Sequence, residues 1–165
     1  MIGYAEERVD NMMRFSEISP DDFHDVQTIF NENLAYARLE NRKLPLTRQA
    51  FTEEFLNPET ISYMYRDETG PIAIIDYLPR HPVDHSTWIG LFIVVARYHH
   101  QGIGTAIYQE FHQHCLKNEP VIRLAVLPNN PIGRLFWERV GFTFERMSTS
   151  NTKQVVEVFV KRQDD

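Results

Sequence analysis

The spacing of hydrophobic positions switches between a period of two and a period of 3.6 along the chain, and the switches mark out its elements. Met13 to Ile18 alternates like a short strand. Ser19-Pro20-Asp21-Asp22 then reads as a helix start, with Ser19 as cap, proline at the first position and acids in the first turn. Val26, Ile29, Phe30 and Leu34 fall on one face of that helix. A second helix is expected from Leu46-Thr47, carrying Phe51 and Phe55 at i, i+4 spacing and ended by Asn57-Pro58. From residue 60 the period becomes two. Thr60–Arg66 and Ile72–Tyr77 read as strands joined by the turn residues Asp67-Glu68-Thr69-Gly70. Leu78–His85, with two prolines, reads as a loop, and Thr87–Val95 as a strand apolar enough to be central. Gly102–Lys117 follows as a helix with Ile103, Ala106, Ile107 and Phe111 facing the core. Val121–Val126 is a further strand. Asn130 caps a helix with Pro131 in its first turn and Gly141 at its end, and Phe142–Met147 and Val155–Val160 close the chain as strands.

That order, strand, two helices, three strands, helix, strand, helix, two strands, implies an α/β (α+β) fold with a mixed sheet covered by helices on both faces. At 165 residues one domain is the simplest organisation: an N-terminal arm over residues 1–12 and a single domain over 13–165. No apolar run approaches the ~20 residues of a membrane span. The first residues lack the basic and apolar regions of a signal peptide, so a cytoplasmic protein is expected. Cys115 is the only cysteine, which excludes an intrachain disulfide and a cysteine-rich zinc site. His112 and His114 are two apart on a helix and diverge by about 200°, so no metal site is expected. A net charge of −6 argues against nucleic-acid binding and mildly favours cationic substrates.

The candidate chemistry lies in residues 91–107. The apolar run Leu91–Val95 passes through a polar turn into Gly102-Ile103-Gly104 and then a helix. A strand that runs through glycines into a helix presents free backbone N–H groups with the positive end of a helix dipole behind them, a nest for phosphate. A Walker loop fails because no lysine follows the second glycine. A dinucleotide fingerprint fails because its third glycine is replaced by Ile107 and no acid follows Val121–Val126. A pyrophosphate loop has Arg or Gln, two free positions, Gly, one free position, then Gly or Ala. His99-His100-Gln101-Gly102-Ile103-Gly104 matches it except at the first position. Taken alone, the hexapeptide could also be a helix start whose small residues permit close packing.

A second element changes this reading: Asn130, Gly133, Trp137, Gly141 and Phe142 at their spacing. Together the two motifs resemble the GNAT superfamily of acyl-CoA-dependent N-acyltransferases, whose usual second form is N-x-x-A-x-x-x-Y-x-x-x-G-F. The resemblance implies a mostly antiparallel mixed sheet of about six to seven strands in which a central pair splays apart to admit acetyl-CoA. It assigns the cofactor to Phe92, Ile93 and Val94, whose backbone would pair with the pantetheine arm. It assigns the pyrophosphate to His99, His100, Gln101, Gly102, Ile103, Gly104 and Thr105, with Asn130 and Trp137 beside the cofactor and Arg97 adding charge. It implies an N-acetyltransferase that passes acetyl from acetyl-CoA directly to a primary amine in a ternary complex. The alternative is an acyl-CoA-binding module without catalysis.

Three positions depart from the family. His99 stands where Arg or Gln is usual, Trp137 replaces a tyrosine that often protonates the leaving thiolate, and Trp88 falls where some members place a glutamate base. An amine must lose a proton before it attacks a thioester, so a base is sought elsewhere. Asp76 and Tyr77, on the strand beside the central one, are the catalytic candidates, with Asp84 and His85 near them. Asn31, Glu32, Tyr36 and Glu40 could reach the acceptor from the helical wall. The acceptor is expected to be a small-molecule or peptide amine, and an exposed edge in the last strands could pair across a homodimer.

Overall fold

The computed structural model describes residues 14–163, so the expected N-terminal arm lies outside the described residues. One seven-stranded sheet runs through the molecule, with strands in the order β1-β2-β3-β4-β5-β7-β6. The strands are β1 (Arg14–Glu17), β2 (Ile61–Asp67), β3 (Gly70–Leu78), β4 (Thr87–Val94), β5 (Val121–Val126), β6 (Thr143–Thr149) and β7 (Val155–Arg162). Every neighbouring pair is antiparallel except β4 and β5, which are parallel. β3 is buried along most of its length, which explains why Ile72–Tyr77 is apolar at nearly every position rather than alternating.

The helices are α1 (Phe23–Asn31), α2 (Leu34–Leu39), α3 (Arg48–Phe55), α4 (Ile103–Phe111) and α5 (Pro131–Arg139). Two helical expectations need correction. Ser19 opens a single 3-10 turn, Pro20–Asp22, its backbone N–H donating to the Asp22 carboxylate at 2.8 Å, and α1 begins only at Phe23. Leu34 is not on the buried face of α1. That helix stops at Asn31, Leu34 opens the additional helix α2, and its side chain is half exposed. The break has a local cause: the buried Asn33 side chain donates to the Ile29 carbonyl at 2.8 Å and so competes with the helical ladder. The other expected boundaries hold within a residue or two. Thr47 caps α3 by accepting from the Ala50 N–H, and α4 runs on through a wider π-helical turn at His112–Leu116.

Residues directly opposite one another on antiparallel strands project to the same face. Ser62, Asp76 and Leu91 therefore share one face of the sheet, and Tyr63, Ile75 and Phe92 the other. α4 and α5 cover the second face: Phe111 meets Tyr77 edge-on at 5.3 Å, and Phe136 stacks on Phe92 at 5.4 Å. Phe23, Phe51 and Phe55 join α1 to α3, with ring centroids 5.4 and 5.9 Å apart. Among the described residues no helix is long and apolar enough to cross a membrane.

Phe51 is fully buried between those two rings. Phe51→Ala is expected to cost about 3–5 kcal/mol, the range for removing a buried aromatic ring. Urea denaturation would show this as a lower midpoint with an unchanged slope.

Candidate functional site

The site begins where a ladder stops. β4 and β5 pair only at Thr87–Ile122, Trp88–Arg123 and Ile89–Leu124, yet β4 continues to Val94 and β5 to Val126. Past Ile89 the two strands fork. A β-bulge sits at the same point: Tyr77 opposes Ile89 and Asp76 opposes Leu91, leaving Gly90 as the extra residue. The bulge switches the strand's faces, putting Trp88 and Leu91 on the Asp76 side and Ile89 and Phe92 on the Tyr77 side. A glycine inside an otherwise strand-like run is a legible sign of a bulge, and Gly90 is the site residue that the sequence reading passed over.

Beyond the fork the chain builds the nest. Val95 returns its N–H to the Ile72 carbonyl at 2.9 Å, and a 3-10 turn, Ala96–Tyr98, leads into the glycines. His100 and Gly102 take left-handed φ values of 63° and 76°, so the chain curls before α4 starts. Ala106 makes the first helical hydrogen bond, to the Gly102 carbonyl at 3.1 Å. The amides of Ile103, Gly104 and Thr105 precede it and point out of the helix start. The His99 ring sits beneath this loop. Its Nε2–H donates to the Val94 carbonyl at 2.7 Å, tying the loop to the end of β4. The Gln101 side chain donates to the Arg97 carbonyl at 2.8 Å. Arg97, expected to lend charge to the nest, is paired with Glu32 at 2.5 Å, and that contact also engages one of the expected acceptor residues.

The mouth between α4 and α5 is aromatic. A Cβ on Gly104 would meet Phe136 at 3.5 Å and Val94 at 3.7 Å, so the nest lies against both the fork and α5. Trp137 is buried among Phe92, Tyr108, Phe136 and Phe142, with ring centroids at 5.0 to 5.7 Å. Phe92, Ile93 and Val94 lie on the diverging part of β4, with Ile93 and Val94 buried and Phe92 part-exposed. Asn130 caps α5, its Oδ1 accepting from the Gly133 N–H at 3.0 Å. A Cβ at position 133 would lie 2.5 Å from the Asn130 amide nitrogen, so a larger residue there would have to shift the capping side chain.

The two catalytic candidates are not brought together. Asp76 and Tyr77 are consecutive on β3 and face opposite sides of the sheet. Tyr77 packs on Phe111, and burial pushes its hydroxyl pKa up. Asp76 is the one carboxylate among the buried described residues. Its Oδ1 accepts from Ser62 Oγ at 2.6 Å. Its Oδ2 lies 3.4 Å from where a Gly90 Cβ would be, so a side chain there would cover the carboxylate at van der Waals contact. Burial raises the Asp76 pKa against the lowering effect of the Ser62 hydrogen bond.

The helical wall on the Asp76 side is already knit together. The Tyr36 hydroxyl donates to Glu40 at 2.6 Å, while Arg42 reaches Glu40 at 2.9 Å and grips Glu54 with two bonds of 2.8 Å. Asn31 is exposed on α1. At the foot of β4, the Trp88 indole donates to Asp84 at 3.0 Å and lies 5.0 Å from His81, ring to ring, while His85 is exposed on the adjoining loop. Among the described residues no three His, Cys, Asp or Glu side chains are placed to hold a metal ion.

A sequence profile of the acetyltransferase (GNAT) family matches residues 23–142. No curated protein sequence matches the chain. Solved structures do. An acetyltransferase of Salmonella typhimurium that modifies the N-terminal serine of a 50S ribosomal subunit protein has a TM-score of 0.76 at 12% identity, over 93% of this chain and 96% of its own. The PaiA N-acetyltransferase of Thermoplasma acidophilum in complex with coenzyme A has a TM-score of 0.69 at 14% identity, over 92% and 99%. A chimeric form of the spermidine N-acetyltransferase SpeG from Vibrio cholerae has a TM-score of 0.68 at 15% identity, over 92% and 95%. At these identities the likeness is one of fold.

His99→Ala removes the tie between the loop and Val94. One hydrogen bond of this kind is worth about 1 kcal/mol, so pyrophosphate should bind roughly fivefold more weakly. Calorimetric titration checks this, and an unchanged melting curve would show that the loss is local.

Proposed function

This chain belongs to the acetyltransferase (GNAT) family, and on that footing we propose that it transfers acetyl from acetyl-CoA to a primary amine by direct attack within a ternary complex. The observation that carries the proposal is the fork opening directly onto the nest, with β4 running from one to the other. The diverging edge of β4 offers backbone groups to an extended amide-bearing chain, as an added strand would use them. The amides of Ile103, Gly104 and Thr105 and the dipole of α4 suit a pyrophosphate. Phe92, Ile93 and Val94 would accompany the pantetheine arm, with His99, His100, Gln101 and Gly102 shaping the loop around the diphosphate. The Val94 carbonyl is taken by His99, and the Val95–Ile72 bond sets a register in which Ile93 spends its backbone groups on β3, which leaves Phe92 and the Val94 N–H facing the fork. Asn130 acts by fixing the start of α5, and Trp137 by filling the wall beside the thioester.

The step itself is an acyl substitution. The neutral amine nitrogen forms a bond to the thioester carbonyl carbon, and a β4 backbone N–H stabilises the oxyanion. The carbon–sulfur bond then breaks, and the thiolate leaves and takes up a proton. Asp76 is the group we assign to receive or anchor the amine's proton, because its raised pKa and its place beneath Gly90 put a proton acceptor at the fork. Tyr77 lies on the opposite face and would serve only through packing. Trp137 has no proton to give at neutral pH, so the thiolate would be protonated by water. That relatives of this fold include enzymes acting on spermidine and on a protein N-terminus supports either a small-molecule or a peptide amine as acceptor. A cytoplasmic setting fits that chemistry.

Release of free thiol from acetyl-CoA across polyamines, aminoglycosides and peptides tests the proposal. Steady thiol release with one amine class supports it, and silence across the panel with intact coenzyme A binding points instead to a binding module. Gly104→Glu places bulk and negative charge in the nest and is expected to abolish calorimetric binding of coenzyme A.

Asp76→Asn tests the base. A positioned base contributes about 100-fold or more, so kcat/KM should fall by about that factor. The limb of the pH profile that rises as Asp76 ionises should vanish. The stability effect has the opposite sign. A carboxyl whose folded pKa is raised stabilises fully below its unfolded pKa and loses that contribution as pH rises through the folded pKa. Asp76→Asn should therefore be at least as stable as the parent at neutral pH in urea melts.

A further inference from the structure

Away from the fork, a second recess lies between the C-terminal parts of α4 and α5. It has a volume of about 460 Å³ and is lined chiefly by Gln109, His112, Gln113, Arg139, Gly141 and Lys161. None of its lining residues is acidic, in a protein whose net charge is −6. Lys161 is half-buried there and, among the described residues, has no ion-pair partner. Its Nζ donates one hydrogen to the Val140 carbonyl at 3.0 Å and lies 5.6 Å from the Tyr108 ring centre. Among the described residues its other two ammonium hydrogens meet no acceptor. Burial depresses the Lys161 pKa, the mark of an ammonium held without a counter-charge. Arg139 likewise has no ion pair among the described residues, and the buried Tyr108 hydroxyl has no hydrogen-bond partner.

The recess is not part of the nest. His112 lies eight residues beyond Gly104, about 12 Å along the same helix axis. The nest lies at the start of α4, against the start of α5, whereas this recess is built from the later turns of α4 and the end of α5. Two cations with no carboxylate between them, amide side chains from Gln109 and Gln113, and room for more than a dozen atoms fit one kind of ligand.

We propose that this recess is a second ligand site, for a small anion bearing at least two negative charges on phosphate or carboxylate groups, held by Lys161 and Arg139 with Gln109 and Gln113. The assignment is independent of the acetyl-transfer reading. A divalent anion can bridge Lys161 and Arg139 simultaneously, which a monovalent ion cannot do as well. The half-buried Lys161 ammonium supplies a partly desolvated charge, and the exposed Arg139 a second one at the rim.

The test uses the full-length Gly104→Glu protein, so that anion binding in the nest is already blocked. Inorganic phosphate and citrate are titrated separately at constant ionic strength, and the backbone amides are followed by heteronuclear NMR. The expected result is a saturable shift confined to Gly141, Lys161 and the last turns of α4. Gln113→Glu, an exposed change that adds a negative charge to the lining, and Arg139→Gln should each weaken it by about tenfold. Saturation with phosphate alone assigns a phosphate ligand, and saturation with citrate alone a polycarboxylate. Shifts that never saturate, that map elsewhere, or that ignore both substitutions would overturn the proposal.

Discussion

Everything that distinguishes this sheet follows from the β4–β5 ladder ending after Ile89–Leu124. A sheet that gives up hydrogen bonds in its middle leaves backbone donors and acceptors unmatched, which is tolerated only where something else satisfies them. Two features hold the gap open. β5 is anchored along its whole length by β7, from Val121–Arg162 to Val126–Glu157, so it cannot swing back to β4. On one face, the aromatic group of Phe92, Tyr108, Phe136, Trp137 and Phe142 fills the space that closer strands would occupy. Trp137 is therefore best understood as part of the wedge that keeps the strands apart.

The bulge at Gly90 does complementary work. By adding one residue to β4 it turns Leu91 to the side of the sheet that Asp76 occupies and Phe92 to the wedge side. It also leaves no Cβ over the Asp76 carboxylate. A single backbone irregularity thereby sets which β4 side chains share the face of Asp76 and which join the aromatic wedge. The helical wall on the Asp76 side has its own charges matched, since Arg42 holds Glu40 and Glu54. Asp76 has no ion pair among the described residues.

Electrostatics in this molecule are local. A net charge of −6 does not prevent an anion site, because the first-turn amides of α4 act over a few ångströms and the overall charge is screened within about 8 Å. The nest gains little from Arg97, which is committed to Glu32. Its shape depends on left-handed His100 and Gly102 and on the His99 ring beneath them. At the far ends of α4 and α5 the arrangement is reversed: there the backbone contributes carbonyls, and the side chains Lys161 and Arg139 supply the positive charge.

Local pattern alone carried the order of strands along the chain, all but one of the helices, the family and the strand–glycine–helix passage of the nest, because these depend on periodicity, caps and glycines that act over a few neighbouring residues. Asn130-Pro131, Thr47 and Gly102-Ile103-Gly104 do in the structure what their local chemistry requires. The misjudged boundary at Leu34 turned on a buried side chain, Asn33, bonding back to Ile29, which no apolar pattern reveals. Only tertiary structure decided where the ladder stops, that Gly90 is the bulged residue, and that Asp76 and Tyr77 part to opposite faces. It alone matched Arg97 to Glu32 and brought Lys161 to the ends of two helices remote from it in sequence. These are register and long-range charge-pairing decisions, and a chain's local pattern does not carry its partners' positions.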